Sequence, residues 1–464
     1  MNAVTDAGVL AGYTARIESL ARDQGLDFYP VNFDIVPASF MAEIAVYGLP
    51  VRMRHWSFGV RYIHHLVRQN MGHSKIFEVM FPGDPCQAYM LEQNSLAENT
   101  LVTAHVIGHA DFAKNNQLFA RFMAMAGSRI LEQSAARAHR LERALATHGQ
   151  QRVDAVLDAA LALETHIDAD QPLRRPPFPE FAAAPAAPVA DAFRERFDRL
   201  PGESRAAPAA APPQRAPLPP RPEADLLWFL AEYAPDLEDW ERDILRAVRE
   251  EAYYFHPVFA CQIMNEGWAS YWHARLLREA NFLPPELYLS AIKVHSDVVR
   301  PYAGAQQLAL SVNPYHLGFA MWEHIINRHG IDKARQVMRE EDDFGFIRNY
   351  LGRELAERLD LFVYETRKDG ATTIANRDIH AVREAILAPK FHFGSPAVAV
   401  HQVGADGSLE LQHDFLRDGR GLDLPQAERV VEYVQRVWRR PVTLHTVDFR
   451  GAVRVLPARK TGVG

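Results

Sequence analysis

The sequence contains very little cysteine, with only Cys86 and Cys261 among 464 residues. Two cysteines are too few for a disulfide framework or for a zinc site built from thiolates. If this chain holds a metal ion, its ligands are therefore histidine and carboxylate side chains. Both types are plentiful, with 20 histidines and 58 acidic residues.

Long apolar runs are also missing from the sequence. Nowhere do about 18 apolar residues follow one another, as a membrane-spanning helix requires. The N-terminal stretch MNAVTDAGVLAGYTARIESL lacks the basic region and the apolar region of a signal peptide. We therefore predict a cytoplasmic protein with no integral membrane segment.

Basic runs and nucleotide-binding motifs are absent as well. The net charge is -7 and no long run of lysine or arginine offsets it, so we expect no nucleic-acid partner. The sequence has no G-x-x-x-x-G-K-S/T phosphate loop, no G-x-G-x-x-G fingerprint and no G-x-S-x-G elbow. Functions that depend on ATP, a dinucleotide or a serine nucleophile thus have no support.

The patterns that are present predict a mainly α-helical core with a small C-terminal α+β module. Helical periodicity covers residues 1–167 and 223–388, and a Pro/Ala-rich linker or insertion at 168–222 separates them. In residues 389–464, AVAVHQV and LELQHDF flank the turn GADGS, followed by the helix LPQAERVVEYVQRVWRR and two further strands. This order predicts a ββαββ module.

Acidic and imidazole side chains form pairs on the predicted helices. In AHVIGHADFAKNN, His105 and His109 are four residues apart, a spacing that lets two imidazoles bind one cation. In NEGWASYWH, Glu266 and His273 are seven apart with Ser270 between them, so they share one helix face. Their apolar surroundings predict that both faces are interior.

A third pair, His316 and Glu323, has the same seven-residue spacing in NPYHLGFAMWE. Each pair has an ordinary alternative: on the order of one His-x-x-x-His pair is expected by chance, Glu266 can form an ion pair with Arg275, and His316 and Glu323 can bridge neighbouring helices. Glycines that allow close helix approach stand beside all three pairs, at Gly108, Gly267 and Gly318. Since buried acids and imidazoles are costly unless paired or metal-bound, the combination favours a shared polar or metal site.

A loop in VRMRHWSFGVRY carries Arg52, Arg54 and His55. These side chains can bind an anion, because guanidinium groups form charge-assisted hydrogen bonds with anionic oxygens. Salt bridges to nearby acids are the alternative.

Four blocks of the sequence together resemble the SpoVR family of stage V sporulation protein R-like proteins: YGLPVRMRHWSFG (47–59), AHVIGHADFAKNN (104–116), NEGWASYWH (265–273) and NPYHLGFAMWE (313–323). The resemblance implies a role in formation of the spore cortex, or in stress responses of bacteria that do not sporulate. It also implies two partners, an AAA+ serine protein kinase and a von Willebrand A-domain protein.

The Glu-Gly-Trp-Ala motif is also similar to the third-ligand helix of glutamate-zincin metallopeptidases. That resemblance implies one zinc ion held by His105, His109 and Glu266. It also implies a zincin-like arrangement of the helices. The peptidase motif has its general base after the first histidine, where this chain has Val106, which cannot transfer protons. The catalytic candidates are then Glu323 and His273, and the candidates for orienting the ligands are His316, Asp111 and Ser270.

Two hypotheses follow for the function. One is a regulator or scaffold of the SpoVR type with a buried divalent-metal site, and Val106 favours it. The other is a zincin-like metallohydrolase of amide bonds, acting on peptidoglycan or its precursors, which the convergent acids and imidazoles favour. The sequence does not decide whether the chain is an enzyme.

Overall fold

The computed structural model describes residues 3–58, 78–181, 217–301, 312–366 and 372–458. Two compact units each combine two separated stretches of chain: Met1–Leu157 with Arg246–Ser395, and Asp158–Leu245 with Pro396–Gly464. We call them the first unit and the second unit. Most of the predicted Pro/Ala-rich linker, at 182–216, lies outside the described residues.

Helices account for most of the described chain, which confirms the predicted helical core. The helices are α1 (Ala3–Asp23), α2 (Ala38–Tyr47), α3 (Leu96–Asn115), α4 (Gln117–Ala126), α5 (Ile130–His148), α6 (Gln150–Ala162), α7 (Leu226–Tyr233), α8 (Asp239–Ala260), α9 (Gln262–Glu279), α10 (Pro285–Val298), α11 (Pro314–His329), α12 (Ile331–Glu340), α13 (Asp343–Tyr350), α14 (Arg353–Arg358), α15 (Ile379–Leu387), α16 (Phe415–Asp418) and α17 (Leu424–Trp438). None of the helices in the described ranges has the length and apolar character needed to cross a bilayer.

The strands are short and form three small sheets. They are β1 (Val31–Val36), β2 (Glu78–Phe81), β3 (Cys86–Leu91), β4 (Val363–Thr366), β5 (Thr372–Asn376), β6 (Val398–Val403), β7 (Leu409–His413), β8 (Val442–Val447) and β9 (Val453–Pro457). In the first unit, β3 lies between β1, to which it is parallel, and β2, to which it is antiparallel. Strands β4 and β5 form an antiparallel pair.

Helix α3 is the central helix of the first unit. Its N-terminus is fixed by a capping box, in which Ser95 accepts a hydrogen bond from the Glu98 N–H and the Glu98 carboxylate accepts one from the Ser95 N–H. Buried residues occur all round the helix, as expected for a helix inside a core rather than on a surface. The AHVIGH motif therefore lies in the interior, as predicted.

Helix α9 packs closely on both α3 and α11 because small residues stand at the crossings. A Cβ atom added to Gly267 would lie 2.3 Å from the carbonyl carbon of Gly318, and one added to Gly108 would lie 2.7 Å from the Cα atom of Ala269. Neither site has room for a larger side chain. The predicted close approach of these helices is confirmed.

The N-terminus of α9 is held by an acid from α13. The Asp343 carboxylate accepts hydrogen bonds from the Ile263 and Met264 N–H groups at 2.9 Å each. It also lies 2.8 Å from Nζ of Lys390, and its side chain is fully buried. Unpaired N–H groups at a helix N-terminus favour an anion, so Asp343 fixes the position at which α9 begins.

The second unit contains the C-terminal sheet, whose strand order is β6-β7-β8-β9. Strands β7 and β8 are parallel and the other two pairs are antiparallel. Helix α17 packs against β8 and β9 and buries Val431, Val434 and Trp438. The predicted ββαββ order is present, with the short helix α16 added before α17.

Candidate metal centre

Helix α3 places two imidazoles side by side in the interior of the first unit. His105 and His109 are on successive turns, and their ring centroids are 4.5 Å apart at an interplanar angle of 85°. They are only 3% and 7% exposed. Each imidazole therefore needs a polar partner or a cation in this apolar setting.

Helix α9 brings Glu266 to both imidazoles, as the sequence predicts. The Glu266 Oε2 atom lies 3.5 Å from His105 Nε2 and 3.4 Å from His109 Nε2. The close crossing of α3 and α9 at Gly108 makes this approach possible.

A second carboxylate, from β2, completes the cluster. The Glu78 Oε1 atom lies 3.7 Å from His105 Nε2. Ligand atoms of Glu78, His105 and His109 all lie within 4.8 Å of one another, so these three residues form a group that could hold a metal ion. The sequence alone does not predict Glu78 as part of the site; the signal it offers is an acid in the otherwise apolar strand EVMF.

The hydrogen bonds behind the imidazoles determine which nitrogen faces the carboxylates. His109 Nδ1 lies 2.8 Å from Asn265 Oδ1, which can only accept, so Nδ1 carries a proton and Nε2 is the atom that carries the lone pair when the ring is neutral. Within the described part of the chain, His105 Nε2 and Glu266 Oε2 are buried without a well-aligned hydrogen bond. Several electron-rich atoms thus converge, an arrangement that requires either protons or a cation.

Two further histidines, His273 and His295, extend a series of hydrogen-bonded imidazoles that starts at His105. The His105 and His273 Nδ1 atoms are 3.0 Å apart, and His273 Nε2 lies 2.6 Å from His295 Nδ1. With His105 Nε2 free to bind a cation, its Nδ1–H donates to His273, which in turn donates to His295. The Tyr315 ring stacks on the His105 ring with a centroid distance of 5.9 Å.

Burial and neighbouring charges shift the titration of these groups in different directions. Burial raises the pKa of Glu78 above its usual value. Burial also opposes ionisation of Glu266, but His109 and His105 outweigh it and lower the pKa of this carboxyl well below its usual range. Burial lowers the pKa of His273, and it lowers that of His295 to about 4. The cluster therefore contains one carboxylate that stays ionised and one that binds protons more readily.

The remaining residues predicted for this site lie in other surroundings. The Asp111 carboxylate accepts hydrogen bonds from the Asp27 N–H and from Trp268 Nε1, both at 2.8 Å, and so connects α3 to α9. Burial raises the pKa of Asp111 to about 6. Ser270 is fully buried, and its Oγ atom has no hydrogen-bond partner among the described residues.

His316 and Glu323 share a helix face, as their spacing predicts, but that face lines a separate cavity of about 430 Å³. The His316 Nδ1–H donates to the Val299 carbonyl at 2.9 Å. Glu323 is exposed by its surface area, yet the protein atoms around its carboxyl group partly displace water and raise its pKa. His105, His109 and Glu266 are not part of the lining.

In the loop that carries Arg52, Arg54 and His55, some side chains already make contacts within the protein. Arg52 Nε donates to Glu251 at 2.8 Å, and both side chains are buried, so the salt-bridge alternative describes Arg52. Arg54 is exposed, and His55 Nδ1 lies 2.8 Å from Ser57 Oγ. Anion binding by this loop stays a prediction.

Comparison with known proteins identifies the family. The model of the family described as "SpoVR like protein" matches residues 5–393. A relative from Escherichia coli strain K12, "Uncharacterized protein YcgB", is 26% identical over 484 aligned positions that cover 96% of this chain and 93% of the relative. No solved structure matches the chain, so the zincin-like helix arrangement stays a prediction. Since the family match spans most of the sequence, the chain belongs to the SpoVR-like family.

Proposed function

We propose that the first unit binds one divalent metal ion, zinc, at His105, His109 and Glu266. The observation that carries this proposal is the convergence of imidazole lone pairs and carboxylate oxygens, with the other nitrogen of each ring already occupied by a hydrogen bond. Two nitrogen ligands and a carboxylate are a donor set that zinc accepts, and the hydrogen bonds behind the rings match those usual for metal ligands.

We propose further that the chain is a hydrolase of amide bonds, with Glu78 as the general base. A zinc ion at this position would polarise a carbonyl group and lower the pKa of water to about 7. Val106 packs among Leu10, Ala88 and Met90 and plays no part in proton transfer. Glu78 instead reaches the cluster from β2, and its raised pKa suits a group that takes a proton from water near neutral pH.

The proposed substrates are peptide amides of peptidoglycan or of its precursors. Two resemblances support this class: the Glu-Gly-Trp-Ala motif of glutamate-zincin peptidases, and the link between SpoVR-type proteins and the spore cortex. The same resemblances support an expected place in the cytoplasm and in sporulation or stress responses.

Elemental analysis of untagged protein tests the metal proposal. We expect close to one zinc per chain in the native protein. His109→Ala should lose the ion, because one of two imidazole ligands is removed. His139→Ala is the matched control, since His139 is exposed on α5 with Glu142 as its ion-pair partner. Well-folded native protein with no ion and no affinity for added zinc would contradict the proposal.

The variant Glu78→Gln distinguishes a general-base role of Glu78 from a role as a metal ligand. A base predicts that the variant keeps one zinc per chain but loses hydrolysis of a muropeptide digest by about 100-fold or more. Glu142→Gln should change neither quantity. Loss of zinc in Glu78→Gln would make Glu78 a ligand and remove the base assignment, while leaving the metal proposal intact. Absence of muropeptide hydrolysis by the native protein would refute this substrate class.

A second candidate is a regulator or scaffold in which the ion fastens α3 to α9. The burial of His105 and His109 favours this candidate, because a substrate needs access to a catalytic ion. Its partners would be the AAA+ serine protein kinase and the von Willebrand A-domain protein implied by the family resemblance. In this case Glu78→Gln should change thermal stability or partner capture, and no hydrolysis should accompany zinc binding.

A further inference from the structure

We propose that the cavity lined by His316 and Glu323 binds a small zwitterion with an ammonium group, a carboxylate and an apolar side chain. An amino acid and a short peptide share this chemistry. The cavity lies within the first unit and has a volume of about 430 Å³. Since small-molecule sites occupy roughly 300–1,000 Å³, its size restricts the occupant to a small molecule. This inference does not rest on the metal centre.

Three segments of the first unit contribute to the lining of the cavity. The side chains from α11 follow one another at intervals of three or four residues, so they share one face of the helix. They are His316, Ala320, Glu323 and Asn327. Arg358 is the last residue of α14, and Val299 directly follows α10. Side chains from three separate segments therefore face one space.

The lining combines apolar side chains with charged ones. The apolar side chains of Val299, Phe319 and Leu359 are half-buried, whereas Glu323 and Arg358 are exposed. The apolar part of the cavity is thus less accessible to water than the charged part. A ligand with an apolar group would remove this half-buried apolar surface from water, which favours binding.

The Glu323 carboxylate and the Arg358 guanidinium are both available to a ligand. Among the described residues, neither group has a hydrogen-bond or ion-pair partner. The two groups are nevertheless close enough to interact: burial raises the pKa of Glu323, and the positive charges of Arg278 and Arg358 oppose that rise. A ligand with an ammonium group and a carboxylate can bridge the gap, because each of its charges then meets the opposite charge.

The other polar groups of the lining suit the same ligand. The His316 Nδ1–H donates to the Val299 carbonyl, so Nε2 is an acceptor when the ring is neutral. An ammonium group has three N–H donors and can use this acceptor together with Glu323. Burial lowers the pKa of His324, and Arg358 lowers it further, so this ring adds no positive charge near neutral pH. One acid and one guanidinium therefore remain as the charges of the lining, which favours a zwitterion over a ligand of a single charge.

Calorimetric titration of the full chain tests this proposal. The probes are L-leucine and L-leucyl-L-leucine, which distinguish a free amino acid from a peptide as the occupant. The control ligands are 4-methylpentanoate and isopentylamine, because each keeps the apolar group of leucine and lacks one of its two charges. We expect saturable binding of at least one zwitterion, and binding of both control ligands that is about tenfold weaker.

Two charge variants test whether the ligand occupies the cavity. Glu323→Gln should weaken binding of the zwitterion about tenfold and leave that of 4-methylpentanoate unchanged, because this ligand has no ammonium group. Arg358→Gln should also weaken binding of the zwitterion but leave that of isopentylamine unchanged. The matched controls are Glu340→Gln and Arg339→Gln, since both residues are exposed on α12 and do not line the cavity. These controls should bind every ligand as the native chain does.

His109→Ala separates the cavity from the metal centre, because a zinc ion can also bind an amino acid. This variant should bind the zwitterion as the native chain does. Loss of binding in His109→Ala would place the ligand at the metal centre and overturn the proposal. Three other results would also overturn it: no saturable binding of either zwitterion, equal binding of zwitterions and control ligands, or unchanged binding in both charge variants.

Discussion

At the scale of single residues, the hydrogen bonds behind the His105 and His109 Nε2 atoms determine what the cluster can bind. A neutral imidazole offers one lone pair, and the proton on the other nitrogen decides where that lone pair points. Asn265 fixes His109, and His273 fixes His105. The two Nε2 atoms are therefore directed to the carboxylates before any ion arrives, which reduces the cost of organising the site.

Replacement of His273 tests this positioning role. His273→Ala should weaken zinc binding by about 10- to 100-fold, because His105 loses the acceptor that holds its ring. His273→Asn should retain most of the affinity, since an amide oxygen can take the place of Nδ1. Competition with a chelating dye measures both. Equal zinc affinity in the alanine variant and the native chain would show that His105 needs no such support.

The sequence predicts part of this cluster for a clear physical reason. The spacing of His105 and His109 within one helix is fixed by helix geometry, and Glu266 stands in a motif with its own resemblance. Glu78 is different, because its position depends on how β2 pairs with β3 and where that sheet meets α3. Nothing local in EVMF encodes those long-range contacts.

At the scale of elements, the crossing of α9 and α11 determines where Glu266 lies relative to α3. The backbones meet at Gly267 and Gly318, and Trp322 Nε1 on α11 donates to the Met264 carbonyl on α9 at 2.9 Å. Glu266 lies between these contacts in the sequence. Its position relative to α3 therefore depends on how closely α11 presses on α9.

Gly267→Ala tests this dependence. The added methyl group would meet backbone atoms, which cannot move aside, so we expect a loss of about 1–3 kcal/mol in the free energy of unfolding together with weaker zinc binding. Gly8→Ala is the control: this helical glycine is exposed and has open space around it. Chemical denaturation and zinc titration measure the two effects. A variant as stable as Gly8→Ala would show that the crossing can relax.

Helix periodicity predicts which residues share a face, but not what that face contacts. His316 and Glu323 do line one cavity together, as their spacing indicates. The residue of α11 that reaches the imidazoles is instead their neighbour Tyr315. A rotation of α11 about its axis by one residue position would change which of its side chains reaches the imidazoles. That rotation is set by the packing of α11 against α9.

At the scale of the whole molecule, each of the two units is built from two stretches of chain that are far apart in sequence. The candidate metal cluster takes Glu78, His105 and His109 from one stretch of the first unit and Glu266 from the other. Composition identifies the Pro/Ala-rich segment, yet it cannot show that residues 158–245 group with the C-terminal sheet. That grouping depends on contacts between segments far apart in sequence.

A zinc ion bound by residues from both stretches of the first unit would hold these stretches together, and calorimetry can detect this effect. Zinc at 100 times its Kd would stabilise the first unit by about 2.7 kcal/mol, so removal by EDTA should lower its melting temperature by about 5 °C. The four cluster residues named above all belong to the first unit, so the transition of the second unit should stay unchanged. His109→Ala should melt at the lower temperature with or without EDTA. An equal shift of both transitions, or a shift that persists in His109→Ala, would mean that the stabilising ion binds elsewhere.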